Sequence, residues 1–227
     1  MIGSLFFEVE GVLAGTVALR RAALLRALAE EGFAPAEISE VEPDAGASTR
    51  DLVGRALRHH AIAADETALT LIALRADRHF SALVRAGVSL APGARELVRQ
   101  AIASCRLAIV TGLERATVDS LLSLAELDGA FEVIIAAEDV AAIKPAPDGY
   151  RKALERMNRR RPLDARTALA LESGAAGARA AHAAGLRCAI IAPFRAENVP
   201  DADAMLESLA GESLASLGAM LPIEAVG

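Results

Sequence analysis

Short apolar runs alternating with helix-length segments constrain this chain more than any other feature. The first run is Ser4-Leu5-Phe6-Phe7-Glu8-Val9, aromatic and branched, with Gly11 close behind. Four more follow: Arg106-Leu107-Ala108-Ile109-Val110, Val133-Ile134-Ile135-Ala136, Ala168-Leu169-Ala170-Leu171 and Cys188-Ala189-Ile190-Ile191. Brief, nearly continuous apolar runs suit strands buried on both faces. The stretches at 93–104, 114–127, 147–160 and 175–185 have the length and pattern of helices. Strand and helix thus alternate from residue 86 to the end. The expected fold is α/β: a Rossmann-like parallel-sheet core with helices on both faces.

Residues 15–85 break the rhythm and carry only helical signals. Leu19, Ala23 and Ala27 mark one apolar stripe, with Glu30 to Gly32 as its stop. Ser48-Thr49-Arg50-Asp51 reads as a helix-capping box ahead of Leu52, Val53 and Leu57. Leu69, Ile72, Leu83 and Val84 outline a third helix. A helical insert is therefore expected directly after the first strand. The expected division is a core of 1–14 and 86–227 and an insert of 15–85, joined through Gly11–Gly15 and Arg85-Ala86-Gly87.

Composition narrows the function classes. The 227 residues carry a formal charge of −6 and are 53% hydrophobic but only 3% aromatic. Alanine supplies much of the apolar share, which suits helix packing better than an aromatic-rich β sandwich. A pI near 5.3 argues against nucleic acid as a partner. No apolar run approaches the roughly 18 residues of a membrane span. No basic segment followed by a long apolar stretch opens the chain. Cys105 and Cys188 do not make a disulfide framework and read as reduced, buried thiols. These features give the expectation of a cytoplasmic protein with no membrane partner. His59, His60, His79 and His182 lack metal-ligand spacing, and Arg159-Arg160-Arg161 reads as a solvated helix end.

Ligands of an open parallel sheet bind beyond the carboxyl ends of its strands. Glu8 and Glu10 follow the first run, Thr111 and Gly112 the second, Lys144 and Pro145 the third, and Glu172 and Ser173 the fourth. Three carboxylates, a hydroxyl with a Gly amide behind it and one ammonium should converge on one edge. Lys144 is one of only two lysines beside 22 arginines. Hydroxyl, amide and ammonium suit a phosphoryl group, and carboxylates suit a hard cation such as Mg²⁺. Glu8, Glu10 and Glu172 against Lys144 leave about two excess negative charges, which would repel an anionic phosphate unless a cation enters or a carboxyl is protonated.

Through these residues the chain resembles the haloacid-dehalogenase superfamily, in its helical-cap branch of β-phosphoglucomutase-like enzymes and small phosphate-ester phosphatases. Phe7-Glu8-Val9-Glu10-Gly11-Val12-Leu13 stands where that family has Asp-x-Asp-Gly. Val110-Thr111-Gly112 is similar to its second motif and Lys144-Pro145-Ala146-Pro147-Asp148 to its third. Leu171-Glu172-Ser173-Gly174-Ala175-Ala176-Gly177, with Ala180, Ala181, Ala184 and Gly185, is similar to its fourth. The resemblance covers nearly the whole chain and makes the insert a cap. It implies catalytic roles for Glu8 as nucleophile and Glu10 as acid/base, and a phosphate grip by Thr111, Gly112 and Lys144. It also implies Mg²⁺ as cofactor, held among Glu8, Glu10, Glu172 and Ser173, a small phosphorylated metabolite as partner, and Arg50 as a cap contact to a second anionic group. An ordinary helix-surface arginine is the plainer reading of Arg50.

The chain departs from the family pattern at three positions. Glu8 replaces the nucleophilic Asp, Glu10 replaces the acid/base Asp, and Ser173 stands where an acidic metal ligand is usual. A glutamate adds one methylene, about 1.5 Å of reach, where a displacement of about 1 Å costs ~10²-fold. Two readings follow. One is a phosphatase-type hydrolase of a small, sugar-phosphate-like ester with a remodelled, weakened site. The other is a catalytically inactive pseudophosphatase that binds a metabolite or a protein. A phospho-receiver is disfavoured by length and by the insert. Dinucleotide binding is disfavoured because no G-x-G-x-x-G follows a strand.

Overall fold

The computed structural model describes residues 2–33, 48–192 and 201–220. Gly46 and Ala47, which precede the expected capping box, lie outside the described residues, as do the ends of the expected core. The described elements run β1 (Ser4–Phe7), α1 (Val17–Glu30), α2 (Thr49–His59), α3 (Glu66–Ala86), α4 (Ala94–Ala101), β2 (Arg106–Val110) and α5 (Arg115–Leu124). Then come β3 (Val133–Ile135), α6 (Asp148–Arg160), β4 (Ala168–Glu172), α7 (Ala175–Ala183), β5 (Arg187–Ile191), β6 (Ala204–Leu206) and α8 (Leu214–Met220).

The six strands form one sheet in the order β3-β2-β1-β4-β5-β6, all parallel. Alternating side chains feed two cores. Leu5, Phe7, Ile109 and Leu171 face α4, α5 and α8, while Phe6, Ala108, Ala170 and Cys188 face α6 and α7. Helices therefore cover both faces, as the sequence predicts. β1 lies between β2 and β4, where the strand order reverses, so its carboxyl end opens at the topological switch point.

The three helices between β1 and α4 keep a cluster of their own, built from Leu24, Leu28, Leu52, Leu57, Ile72 and Ala76. Ser48 caps α2 through its hydroxyl, which accepts from the Asp51 N–H at 3.0 Å. Asp65 caps α3 in the same way, accepting from Ala68 N–H at 2.8 Å. Phe80 and Val84, near the end of α3, join the sheet-side core instead. One helix thus spans both packing environments.

Two details differ from the sequence reading. β1 ends at Phe7 rather than running through Val9. The Glu8 N–H still donates to Leu171 O at 3.0 Å, but the Val9 carbonyl accepts from Leu13 and Ala14 N–H and turns the chain back. Glu8 therefore stands just past the strand, on the sheet's edge. The edge strand β6 was not expected, because Ala204-Met205-Leu206 is short and only partly buried.

Gly93 shows how tightly the re-entry into the core is built. Its φ is +81°, and a Cβ there would lie 2.0 Å from the Leu209 carbonyl oxygen. Gly93→Ala should lower stability by about 3 kcal/mol and the melting temperature by roughly 6–12 °C. A thermal melt of the variant within a degree of the native chain would contradict this packing.

Candidate active site

The residues read from the four motifs do converge, and they bind one another. Glu8 is fully buried. Its Oε1 accepts from the Val9 N–H at 2.6 Å and from the Thr111 hydroxyl. Its Oε2 accepts from Lys144 Nζ at 2.5 Å. Lys144 Nζ also donates to Val110 O at 2.8 Å and pairs with Glu172 Oε1 at 2.5 Å. An ammonium has three donors, and all three are taken within the protein. The Thr111 hydroxyl has one proton, and it goes to Glu8. Gly112, next in the chain, lines a larger cavity beside the insert helices.

Local structure explains each position. Glu8 and Glu172 end on adjacent parallel strands, in register with Phe7 opposite Leu171. Thr111 caps the end of β2, one strand over. Glu172 is wedged beneath the first turns of α7, where a Cβ on Gly177 would fall 2.0 Å from its Oε2. Gly177 is therefore a space requirement. Tyr150, the chain's single tyrosine, donates its hydroxyl to Glu172 Oε1 from α6.

Glu10 takes a separate course. It pairs with Arg20 of α1, and both side chains are almost wholly buried. Arg20 also donates to Thr49 Oγ1 at 2.9 Å and lies 5.8 Å from the centre of the Phe80 ring. Thr49 in turn donates to Asp77 Oδ1 at 2.5 Å. The sequence reading missed Arg20, Thr49, Asp77 and Tyr150. Arg20 had a legible signal: it falls at i with Ala23, Leu24, Ala27 and Leu28 at i+3, i+4, i+7 and i+8, a charge inside an apolar stripe. With Arg20 counted, the excess over the three glutamates falls from about two negative charges to one. Arg50 is exposed and engages Glu66 and, at 3.0 Å, Thr70 on α3.

Two cavities flank this cluster. Beside Thr111, Lys144 and Tyr150 lies a space of about 10 Å³, room for no more than about one water. Between the insert helices and the loops after β2 and β3 lies one of about 300 Å³, lined among others by Arg20, Thr49, Asp77, Phe80, Gly112 and Glu114. Burial raises the Glu114 carboxyl, and the charges of Asp77 and Glu138 push it the same way. The rim of this cleft is acidic.

The expected Mg²⁺ set was Glu8, Glu10, Glu172 and Ser173. Among the described residues, no three or more His, Cys, Asp or Glu side chains stand close enough together to hold a metal ion. Glu8 and Glu172 share Lys144, Glu10 binds Arg20, and the buried Ser173 hydroxyl has no hydrogen-bond partner. Mg²⁺ takes one or two carboxylates together with water and substrate oxygens, and here the Glu8 and Glu172 carboxylates are both engaged by the Lys144 ammonium. The residues present do not fit it.

The haloacid dehalogenase-like hydrolase family matches residues 6–185. The chain belongs to that family. It is 33% identical over 223 residues to Protein CbbY of Cereibacter sphaeroides, covering 92% of this chain and 94% of the relative. A crystal structure of CbbY from Rhodobacter sphaeroides in complex with phosphate superposes with a TM-score of 0.80 at 33% identity, covering 96% of this chain and all of that one. A second, of a CbbY variant in complex with xylulose-(1,5)bisphosphate, gives 0.80 at 31% identity over 96% of this chain and 99% of that one. The family membership predicted from the motifs thus holds, on a fold that matches across nearly the whole chain.

Burial pushes the Glu172 carboxyl from its ordinary 4.5 up to about 7; Lys144 opposes this and the Glu8 charge adds to it. Burial alone would lower the Lys144 ammonium, but Glu172 and Glu8 outweigh it and hold it well above its usual range. Lys144 therefore stays charged while Glu172 titrates. A carboxyl raised in the folded state stabilises fully below about 4.5 and loses that contribution as pH rises through about 7. In EDTA, denaturant stability should be higher at pH 5 than at pH 8 by roughly 1–3 kcal/mol. Glu172→Gln should flatten that slope; an unchanged slope would contradict the assignment.

Proposed function

We propose that this chain is a haloacid dehalogenase-like phosphatase scaffold whose phosphoryl site is closed by its own Glu8, and that it binds a small metabolite without hydrolysing it. One observation carries the reading. The donors that would grip a phosphoryl group, Thr111 Oγ1 and Lys144 Nζ, are spent on the Glu8 carboxylate. The added methylene of glutamate brings the carboxylate into the cradle instead of leaving it beside the cradle.

Residues 15–85 act in this reading as a cap over the core. The cleft beneath it, at about 300 Å³, is of sugar size. Thr49, Ser81, Thr117, Asp77 and Glu114 line it, a set of hydroxyls and carboxylates that suits a polyhydroxylated ligand. The relatives crystallised with phosphate and with xylulose-(1,5)bisphosphate support a sugar-phosphate lineage for that ligand. Arg20 and Arg50 border the cleft, but each is already paired with an acid.

A second reading, the remodelled hydrolase, is favoured by one observation: both changes at the first motif keep a carboxylate, and Glu8 still meets Thr111 and Lys144. It requires Glu8 to leave both partners before it can attack phosphorus. Phosphate release from sugar mono- and bisphosphates, with and without Mg²⁺, separates the two. The native chain should show no turnover. Glu8→Asp combined with Glu10→Asp and Ser173→Asp should release phosphate at least ~10³-fold above the assay background. Native turnover that disappears in Glu8→Ala would establish the remodelled hydrolase instead.

A further inference from the structure

The cleft between the insert helices and the loops after β2 and β3 carries a charge pattern that narrows its ligand. We infer that it takes an amine-bearing polyol, of the amino-sugar class, and turns phosphorylated sugars away. The inference rests on the metabolite-binding reading proposed above and names the ligand class of that same cleft.

Acids line the cleft from three sides. Asp77 comes from α3, Glu114 from the turn into α5 and Glu138 from the segment after β3. Among the described residues, none of the three is paired with a cation of its own. Asp77 accepts from the Thr49 hydroxyl at 2.5 Å, and Glu138 accepts from the Arg115 backbone N–H at 3.1 Å. Glu114 is raised by burial and further by the charges of Asp77 and Glu138, so the acids act on one another across the space. An ammonium set among them would relieve that repulsion. They do not stand close enough together to hold a metal ion. The cation they suit is therefore one carried on a larger molecule.

The arginines lining the cleft give an anion little. Arg20 is committed to Glu10, and reaching it means breaking a buried ion pair. Arg50 is paired with Glu66 on the surface, where such pairs are weak. A phosphate drawn by Arg50 alone would still face Asp77 and Glu114.

An independent observation points to hydroxyls on the ligand. The Arg20 side chain is only 4% exposed and lines the cleft, yet its Nε–H has no hydrogen-bond partner. A donor left without an acceptor is costly, and a ligand hydroxyl can accept from it. Phe80 offers a flat apolar wall for the carbon face of a sugar ring, and about 300 Å³ is room for a monosaccharide.

The test is calorimetric titration of the full chain with glucosamine, N-acetylglucosamine, glucose and glucose 6-phosphate. It is run at low ionic strength and pH 6.5, where an amine of this kind is protonated. Glucosamine should bind saturably, N-acetylglucosamine and glucose at least ~10-fold more weakly, and glucose 6-phosphate without measurable heat. Asp77→Asn and Glu114→Gln should each weaken glucosamine by ~3–10-fold and leave glucose unchanged. Glu114 is exposed, so its variant still tests the charge if Asp77→Asn does not fold. Glucose 6-phosphate binding as tightly as glucosamine, or a glucosamine affinity indifferent to Glu114→Gln, would overturn the inference and leave the metabolite-binding reading standing. Heat from none of the four sugars would also overturn it, and the turnover assay would then decide the metabolite-binding reading by itself.

Discussion

A buried lysine shared by two glutamates is the interaction on which the rest of this site depends. Lys144 arrives from the loop after β3, Glu8 from the end of β1 and Glu172 from the end of β4, so one ammonium joins three parts of the sheet's edge. Neither carboxylate has water to fall back on. Removing the ammonium would leave the Glu8 charge unpaired in the interior, a change of about 3–5 kcal/mol. Tyr150 and the space beside Gly177 exist to finish the solvation of Glu172. The pair network is therefore a structural necessity once those glutamates are present, whatever it does chemically.

In the proposed reading, a change as conservative as one methylene closes the site. Aspartate and glutamate carry equal charge, and a comparison by charge alone finds nothing altered. Geometry separates them. The longer side chain at Glu8 reaches the hydroxyl of Thr111 and the ammonium of Lys144 and becomes their ligand. A catalytic cradle works by holding donors ready for charge that develops during reaction. Donors already saturated by a fixed carboxylate have nothing left to offer. At Glu10 the extra reach leads elsewhere, toward Arg20 and the insert helices. The two glutamates thus have opposite destinations, one at Thr111 and Lys144 and one at Arg20 and the insert helices.

Most of the fold was legible in the sequence, because burial on both faces leaves long apolar signatures. The runs at 106–110 and 133–136 and those after them became strands in the expected order, and Ser48 capped its helix as its motif implied. β6 was not legible, because an edge strand with few buried residues carries no such pattern. The four motifs also located Glu8, Thr111, Lys144 and Glu172 correctly at one edge. Their mutual pairing was harder to read, since spacing along the chain says where a side chain starts and not what it reaches. Arg20 was missed for a different reason. Its distance of ten residues from Glu10 is bridged by a turn and the start of a helix, and only its position within an apolar stripe betrayed it.

The claim that Glu8 fills the phosphoryl cradle is tested most directly by phosphate binding itself. Inorganic phosphate is titrated calorimetrically in EDTA into the native chain and into Glu8→Ala. The account predicts no measurable heat with the native chain, and a saturable phosphate site in Glu8→Ala, where Thr111 and Lys144 are freed. A native chain that binds phosphate as tightly as Glu8→Ala would contradict it.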